Sequence, residues 1–378
     1  MKELNNPFVV YGYKGATYFC DREAETEKLV KGLSNERNIT LIAPRRIGKT
    51  GLIHHVFANI KEHHPDICCI YFDILATKTL EQFIQLMAHN VLGRLDTPTQ
   101  TALHKVQEFF SSFRPTMTFD ATTGMPTFSL DIVKNQEEQS LQRIFEYLKQ
   151  SQKRCYIAID EFQQITKYPE ADTEALLRSF IQFVPNVYFI FAGSKQHMMS
   201  DMFLSPERPL YQGAQIVNIK EIDESVYYTF SNGMFQKRGQ ELPNSVFHYL
   251  YEKVDGQTWY VQAILNRIYS NQLGMITEKD VDTAIQELID EQEVAFENYY
   301  SSLTTNQAAL LLAIAHEKHV KSPMAQTFIS KYRLPALSSI STALQSLSEN
   351  QFIYQYQGGY IVYDRFFAMW LRQVLPSP

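Results

Sequence analysis

The stretch Ala43-Pro44-Arg45-Arg46-Ile47-Gly48-Lys49-Thr50 sets the tightest limit on what this chain can fold into. An apolar run, Ile39-Thr40-Leu41-Ile42, precedes it and reads as a short buried strand. Gly51-Leu52-Ile53-His54-His55-Val56-Phe57 follows and reads as the start of a helix. Strand, Gly-Lys-Thr loop and helix in that order is the context of a P-loop. Backbone N–H groups at a helix N-terminus cradle phosphate oxygens, and the helix dipole favours their negative charge. The reading places Ala43, Pro44, Arg45, Arg46, Ile47, Gly48, Lys49, Thr50 and Gly51 around a polyphosphate. Lys49 would reach the β- and γ-phosphates, and the Thr50 hydroxyl would ligate Mg²⁺. Ala43 stands where the pattern has Gly. Alanine tolerates positive φ poorly, so position 43 is expected in a conformation open to L-residues.

A chance Gly-Lys-Thr is the competing explanation, and a second motif argues against it. Cys155-Tyr156-Ile157-Ala158-Ile159-Asp160-Glu161-Phe162 is an apolar strand that ends on two acids, the Walker B pattern. Such a strand carries its acids to the carboxyl end of a sheet, where ligands bind in open α/β folds. Asp160 would hold Mg²⁺ through water, and Glu161 would orient and deprotonate the attacking water. An ordinary buried strand predicts no particular pair of acids and no P-loop upstream. Val187-Tyr188-Phe189-Ile190-Phe191-Ala192-Gly193-Ser194 is a further buried-strand run, and Ser194 at its tip is a candidate γ-phosphate sensor. Arg208 is a candidate arginine for the same phosphate or an ordinary surface Arg. Upstream, Tyr18-Phe19-Cys20-Asp21-Arg22-Glu23 opens a helix to about residue 33 that Asp21 can cap. Placed just before the P-loop strand, Asp21 and Arg22 could also lie beside the nucleotide base.

The 378 residues suffice for two or three domains. A net charge of -6 does not describe a polycation that seeks nucleic acid or a membrane surface. No stretch approaches the roughly 18 uninterrupted apolar residues of a membrane span. The segment Met1-Lys2-Glu3-Leu4-Asn5-Asn6 lacks the apolar core of a signal peptide. Cys20, Cys68, Cys69 and Cys155 lack zinc spacing and read as buried free thiols of a cytoplasmic protein. Strands alternate with helices up to about residue 220, including the run Ile67–Asp73 and a helix over 79–95 with a second to about 113. That alternation predicts a mostly parallel sheet covered on both faces. Period-two runs around residues 115–131 predict a β-hairpin insertion. Residues 221–300 read as all helix, over 225–236, 245–253, 259–270 and 278–300, with Thr277 as N-cap of the last. This region is expected to form a helical lid. Residues 301–378 show helices over 305–317, 322–332 and 337–349, then two short strands around Gln357-Gly358-Gly359, a winged-helix pattern. Its third helix carries no Lys or Arg, which makes a poor DNA-binding face because phosphate attraction supplies most non-specific affinity.

The chain resembles the archaeal-type P-loop ATPases, found also in bacteria, of the AAA+ and STAND branch. The resemblance is carried by Phe19-Cys20-Asp21-Arg22-Glu23, the 43–50 loop, Ile159-Asp160-Glu161-Phe162-Gln163, Phe191-Ala192-Gly193-Ser194, the Asp255-Gly256 break before Trp259-Tyr260, and Tyr363-Asp364-Arg365-Phe366 near the end. It spans nearly the whole chain. It implies a P-loop core with a five-stranded parallel sheet over residues 1–220, a helical lid over 221–300 and a winged helix over 301–378. It also implies ATP rather than GTP. The family often carries an Arg after the Gly in the segment that here reads Tyr211-Gln212-Gly213-Ala214. The expectation is an ATP-binding protein and slow Mg²⁺-dependent ATPase that switches conformation for an unidentified protein partner. ATP-regulated DNA binding through the winged helix is the alternative. The sequence leaves the oligomeric state open.

Overall fold

The computed structural model describes residues 3–95, 113–119, 126–132, 136–151, 153–271 and 274–374. Two compact units divide the chain: residues 11–227, and the stretch up to Val10 together with Tyr228 onward. The first unit is built on five strands: β1 (Ile39–Ile42), β2 (Cys68–Asp73), β5 (Cys155–Asp160), β6 (Val187–Gly193) and β7 (Gln215–Asn218). They lie in the order β2-β5-β6-β1-β7, and every neighbouring pair is parallel. All residues of β1, β5 and β6 are buried, which is why they read as continuous apolar runs rather than alternating ones.

Successive side chains leave a strand on opposite faces, and the two faces have separate cores. Tyr156 and Ala158 of β5 join Ile39, Leu41 and Ile190 against α1 (Glu23–Ser34) and α2 (Lys49–His63). Ile157 and Ile159 join Ile70, Phe72, Phe189 and Phe191 on the other face. That face is covered by α3 (Leu80–Leu95), α4 (Glu137–Gln150), α5 (Thr173–Ile181) and α6 (Gln196–Leu204). The spacing of Leu141, Ile144, Phe145 and Leu148 puts one apolar stripe of α4 inward. Each such side chain contributes about 1.5–3 kcal/mol by leaving water, and the parallel register puts the carboxyl ends of the strands on one edge. Between α3 and α4, β3 (Phe113–Phe119) and β4 (Pro126–Ile132) pair antiparallel, as the hairpin reading expected. The turn at 120–125 and the helix expected over 96–112 lie outside the described residues, and Phe113 opens a strand rather than ending a helix.

Asp21 does not cap α1. The N-cap is Arg22, in the left-handed region at φ 79, and no side chain caps the helix. Asp21 is itself left-handed at φ 57, one residue outside the cap position.

The second unit is helical up to residue 301, as expected. It takes α7 (Glu224–Gln236) from Tyr228 onward, then α8 (Asn244–Lys253), α9 (Thr258–Ser270), α10 (Glu278–Asp290) and α11 (Glu293–Ser301). The single helix expected over 278–300 is two, broken where Gln292 flattens to ψ 0. Thr277 is the N-cap of α10, and both its N–H and its hydroxyl donate to Asp280. Residues before Val10 pack into this unit: Phe8 is fully buried against Phe235, and Asn266 donates to its carbonyl.

A winged helix follows, with α12 (Thr305–Glu317), α13 (Gln326–Lys331), α14 (Leu337–Glu349), β8 (Ile353–Tyr356), β9 (Gly359–Val362) and α15 (Arg365–Val374). Helix α13 starts at Gln326 rather than the expected 322 because residues 322–325 form a turn closed by the Ala325 N–H on the Ser322 carbonyl, after which Ala325 stays extended at ψ 136. Gln357 and Gly358, both at positive φ, make the two-residue turn of the β8–β9 hairpin. Two of the quoted motif stretches meet here. Gly256 ends α8 at φ 62, where a Cβ would strike the Tyr251 ring 2.3 Å away. Its neighbour Asp255 pairs at 2.7 Å with buried Arg365, which also donates to the Val362 carbonyl and the Tyr354 hydroxyl.

Candidate functional site

The strand order decides what meets at the carboxyl edge of the sheet. β1 runs into the 43–48 loop, and Gly48, at φ 101, is the N-cap of α2. Nothing lies within 4 Å of a Cβ built on Gly48, so the backbone angle rather than space demands glycine there. Arg46 also takes positive φ, whereas Ala43 does not, as the alanine required. Ala43 is fully buried and joins the core around α2, which suits a methyl group better than bare backbone. β6 lies between β1 and β5, so Ser194 at its tip stands between the loop and the two acids.

Lys49 and the acids face each other. Lys49 is 6% exposed, and its Nζ lies 3.9 Å from Glu161 Oε1. Glu161 Oε2 accepts hydrogen bonds from Ser194 Oγ at 2.7 Å and from Gln163 Nε2 at 2.6 Å. Glu161 sits at φ 55, an uncommon conformation for a residue with a long side chain and one that recurs at functional sites. Thr50 Oγ1 donates to Asp160 Oδ2 at 2.7 Å, and the Glu161 N–H donates to Asp160 Oδ1 at 2.9 Å. With its proton committed to Asp160, the Thr50 oxygen keeps lone pairs for a cation. These residues fit Mg²⁺, which takes one or two protein oxygens and fills its shell with water and phosphate. No group of three or more His, Cys, Asp or Glu able to hold a metal occurs among the described residues, so those residues offer no all-protein cage.

β2 adds residues that sequence reasoning missed. Its last residue, Asp73, is the register partner of Asp160, so two strands end side by side on acids. The signal was available, because the 67–73 run closes on an acid just as the Walker B run does. Although Asp73 as a residue is exposed, partial burial of its carboxyl pushes its pKa up. The Leu75 N–H opposes this, Asp160 and Glu161 push it further, and Lys49 pulls it back. Tyr71 donates to Asp160 Oδ2 at 3.1 Å. Burial, then the charges of Asp160 and Asp73, push its phenol far above the ordinary range, so it remains a donor. His54 of α2 packs on the Tyr71 ring at 4.5 Å. Burial lowers the His54 pKa, against the pull of Asp160.

Arg208 is not free for a phosphate on its own chain in this arrangement: it pairs with Glu174 and, at 3.4 Å, with Asp201. Arg22 is buried, bonds Glu25 at 2.8 Å and reaches the Ile47 carbonyl of the loop at 3.5 Å. Nearby Phe19 stacks on His55 at 4.5 Å and touches the position a Gly51 Cβ would occupy. The 11–22 segment therefore lies along the first turns of α2.

Gln163, 3% exposed, has an amide oxygen with no partner among the described residues. A Cβ on Gly193 would lie 2.4 Å from that oxygen and 2.5 Å from Met199. Gly193→Ala is expected to cost about 1–3 kcal/mol by overpacking, read as a lower Tm. It should also slow ATP hydrolysis, because Gln163 must shift off Glu161. Unchanged melting and turnover would show that this contact yields freely.

A five-stranded parallel sheet with a phosphate loop on one strand and an Asp-Glu pair two strands away defines a P-loop nucleotide-binding protein. The chain belongs to the family described as ATPase domain predominantly from Archaea, whose model matches residues 19–264. It is therefore a P-loop ATP hydrolase. A second model, described as "Probable winged helix domain", matches residues 294–373. Among solved structures, the Walker-type ATPase PABY2304 of Pyrococcus abyssi is similar at 18% identity, with TM-score 0.68, over 97% of this chain and 99% of that one. The Aeropyrum pernix ORC2 protein, solved as ADPNP–ADP complexes, is similar at 14% identity and TM-score 0.62, over 97% and 95%. The Aeropyrum pernix ORC1 protein in complex with DNA is similar at 12% identity and TM-score 0.56, over 97% and 96%. At these identities the likeness shows the fold. No curated protein sequence matches the chain. No described helix is long and apolar enough to cross a membrane.

Proposed function

We propose that this ATPase is a slow, Mg²⁺-dependent conformational switch whose ATP-bound state is read by a protein partner. The observation that carries the reading is the threefold hold on Glu161 by Lys49, Ser194 and Gln163. Oε2 accepts two hydrogen bonds and Oε1 faces the Lys49 charge at 3.9 Å, so the base takes a proton from water only after a rearrangement. Residues 43–51 cradle the phosphates, with Lys49 on the β- and γ-oxygens. Arg45, exposed on the loop, adds positive potential. Thr50 and Asp160 would hold Mg²⁺, which when bound neutralises charge on the β- and γ-phosphates. A phosphate that draws Lys49 away frees Glu161 Oε1 to orient and deprotonate the attacking water. Ser194, bonded to the same carboxylate, senses whether the γ-phosphate is present. Asp21 and Arg22 border the base. The four free cysteines support a cytoplasmic setting.

The three-part division into core, lid over 221–300 and winged helix over 301–378 gives the switch its moving parts. Hydrogen exchange in ATP analogue against ADP tests it. Protection within residues 228–374 should differ between the two nucleotides, and identical exchange there would sink the switch reading. The DNA alternative draws on the winged helix and on the DNA-bound ORC1 likeness. It has less support, because α14 has no Lys or Arg to meet phosphates. A salt-dependent affinity for duplex DNA that ATP alters would reverse that order.

A further inference from the structure

We propose that Tyr71 is a positioning residue for the metal-holding carboxylate, fixing the rotation of Asp160 by donating to Oδ2. The inference rests on the reading of Asp160 as the residue that holds Mg²⁺ through water, and it adds a donor that neither motif contains. An ionised carboxylate offers about four lone-pair sites. On Asp160, Oδ2 accepts from Thr50 Oγ1 at 2.7 Å and from Tyr71 Oη at 3.1 Å, and Oδ1 accepts from the Glu161 N–H at 2.9 Å. Three sites are filled, so one on Oδ1 is left for a metal-bound water. Without Tyr71, one donor on each oxygen remains, and the carboxylate is free to rock between them.

The hydroxyl is delivered by rigid elements. Tyr71 lies on β2, whose register with β5 pairs it with Ala158 and pairs Asp73 with Asp160. Its hydroxyl thus reaches one step along the face of the neighbouring strand, past an alanine that leaves room. His54, from the first turns of the P-loop helix, packs on the ring. The same helix therefore supplies Thr50 and, through His54 and Tyr71, braces the other donor to Oδ2. Outer donors of this kind typically change metal affinity about 10- to 100-fold when removed.

The test compares wild type, Tyr71→Phe and Asp160→Asn by calorimetry with ADP, first in EDTA and then across a Mg²⁺ titration. In EDTA, Tyr71→Phe should bind ADP within about twofold of wild type, because it touches no phosphate. The Mg²⁺ concentration that half-restores full affinity should rise about tenfold. Placing 4-aminophenylalanine at position 71, which keeps a ring donor, should bring the midpoint back towards wild type. An unchanged midpoint in Tyr71→Phe, with Asp160→Asn shifted, overturns the role of Tyr71 alone. An equal loss of ADP affinity with and without Mg²⁺ also overturns it, because the residue would then be merely structural. An unshifted Asp160→Asn would remove the metal-site reading itself, and this proposal with it.

Discussion

Glu161→Gln is expected to slow single-turnover ATP hydrolysis by about 10²- to 10⁴-fold, the usual contribution of a positioned general base. That range corresponds to roughly 2.7–5.5 kcal/mol of transition-state stabilisation. The substitution keeps size and shape, and Ser194 can still donate to the amide oxygen, so folding should be unaffected. Nucleotide affinity should hold or tighten slightly. In the present arrangement Lys49 spends part of its charge on Glu161 Oε1, 3.9 Å away, and a neutral side chain releases it to the phosphates. The variant should therefore accumulate as an ATP complex. Rapid-quench measurement under single-turnover conditions separates chemistry from product release. Hydrolysis as fast as wild type would mean that another group takes the proton, and Asp73, beside Asp160 on the next strand, would be the first to test.

Lys49→Ala is expected to weaken ATP and ADP binding roughly 30- to 160-fold, since a hydrogen bond to a charged group contributes about 2–3 kcal/mol at the upper end of its range. The ammonium group is nearly buried, and its Nζ lies 3.9 Å from Glu161 within the site. Stability of the nucleotide-free protein should fall modestly, because the mostly buried Glu161 carboxylate loses its opposite charge, while Ser194 and Gln163 still donate to it. Calorimetry with Mg²⁺ checks both nucleotides. Tight binding by wild type that disappears in the variant would place the site at this loop and show that Ala43 supports phosphate binding. If wild type and variant bound alike, the nucleotide would lie elsewhere. If neither bound, a non-binding adaptor would become the better description.

Much of this protein was legible in its sequence because the informative residues are neighbours in the chain. The octapeptide at 43–50 carries its strand, its loop and its helix within about twenty residues, and backbone angles at Gly48 follow from local sterics. Asp160 and Glu161 are adjacent, and the apolar run before them identifies a strand buried on both faces. The winged helix announced itself through contiguous helices and a Gln357-Gly358 turn. Local reading failed where a neighbour in space overrules a neighbour in sequence. Asp21 is a good capping residue by type, but the left-handed pair at 21–22 places Arg22 at the cap and turns it towards the Ile47 carbonyl. For Arg208, which the sequence left between a phosphate arginine and a surface one, only the fold supplied the partners Glu174 and Asp201 from α5 and α6. Consecutive residues spell out the chemistry, a phosphate loop and a pair of acids. The groups that hold that pair come from other strands: Tyr71 from 89 residues away on Asp160, and Ser194 from 33 residues away on Glu161. The physical reason is the strand order. Hydrogen bonding across the sheet places β2 and β6 on either side of β5, and no local propensity records which strands become neighbours.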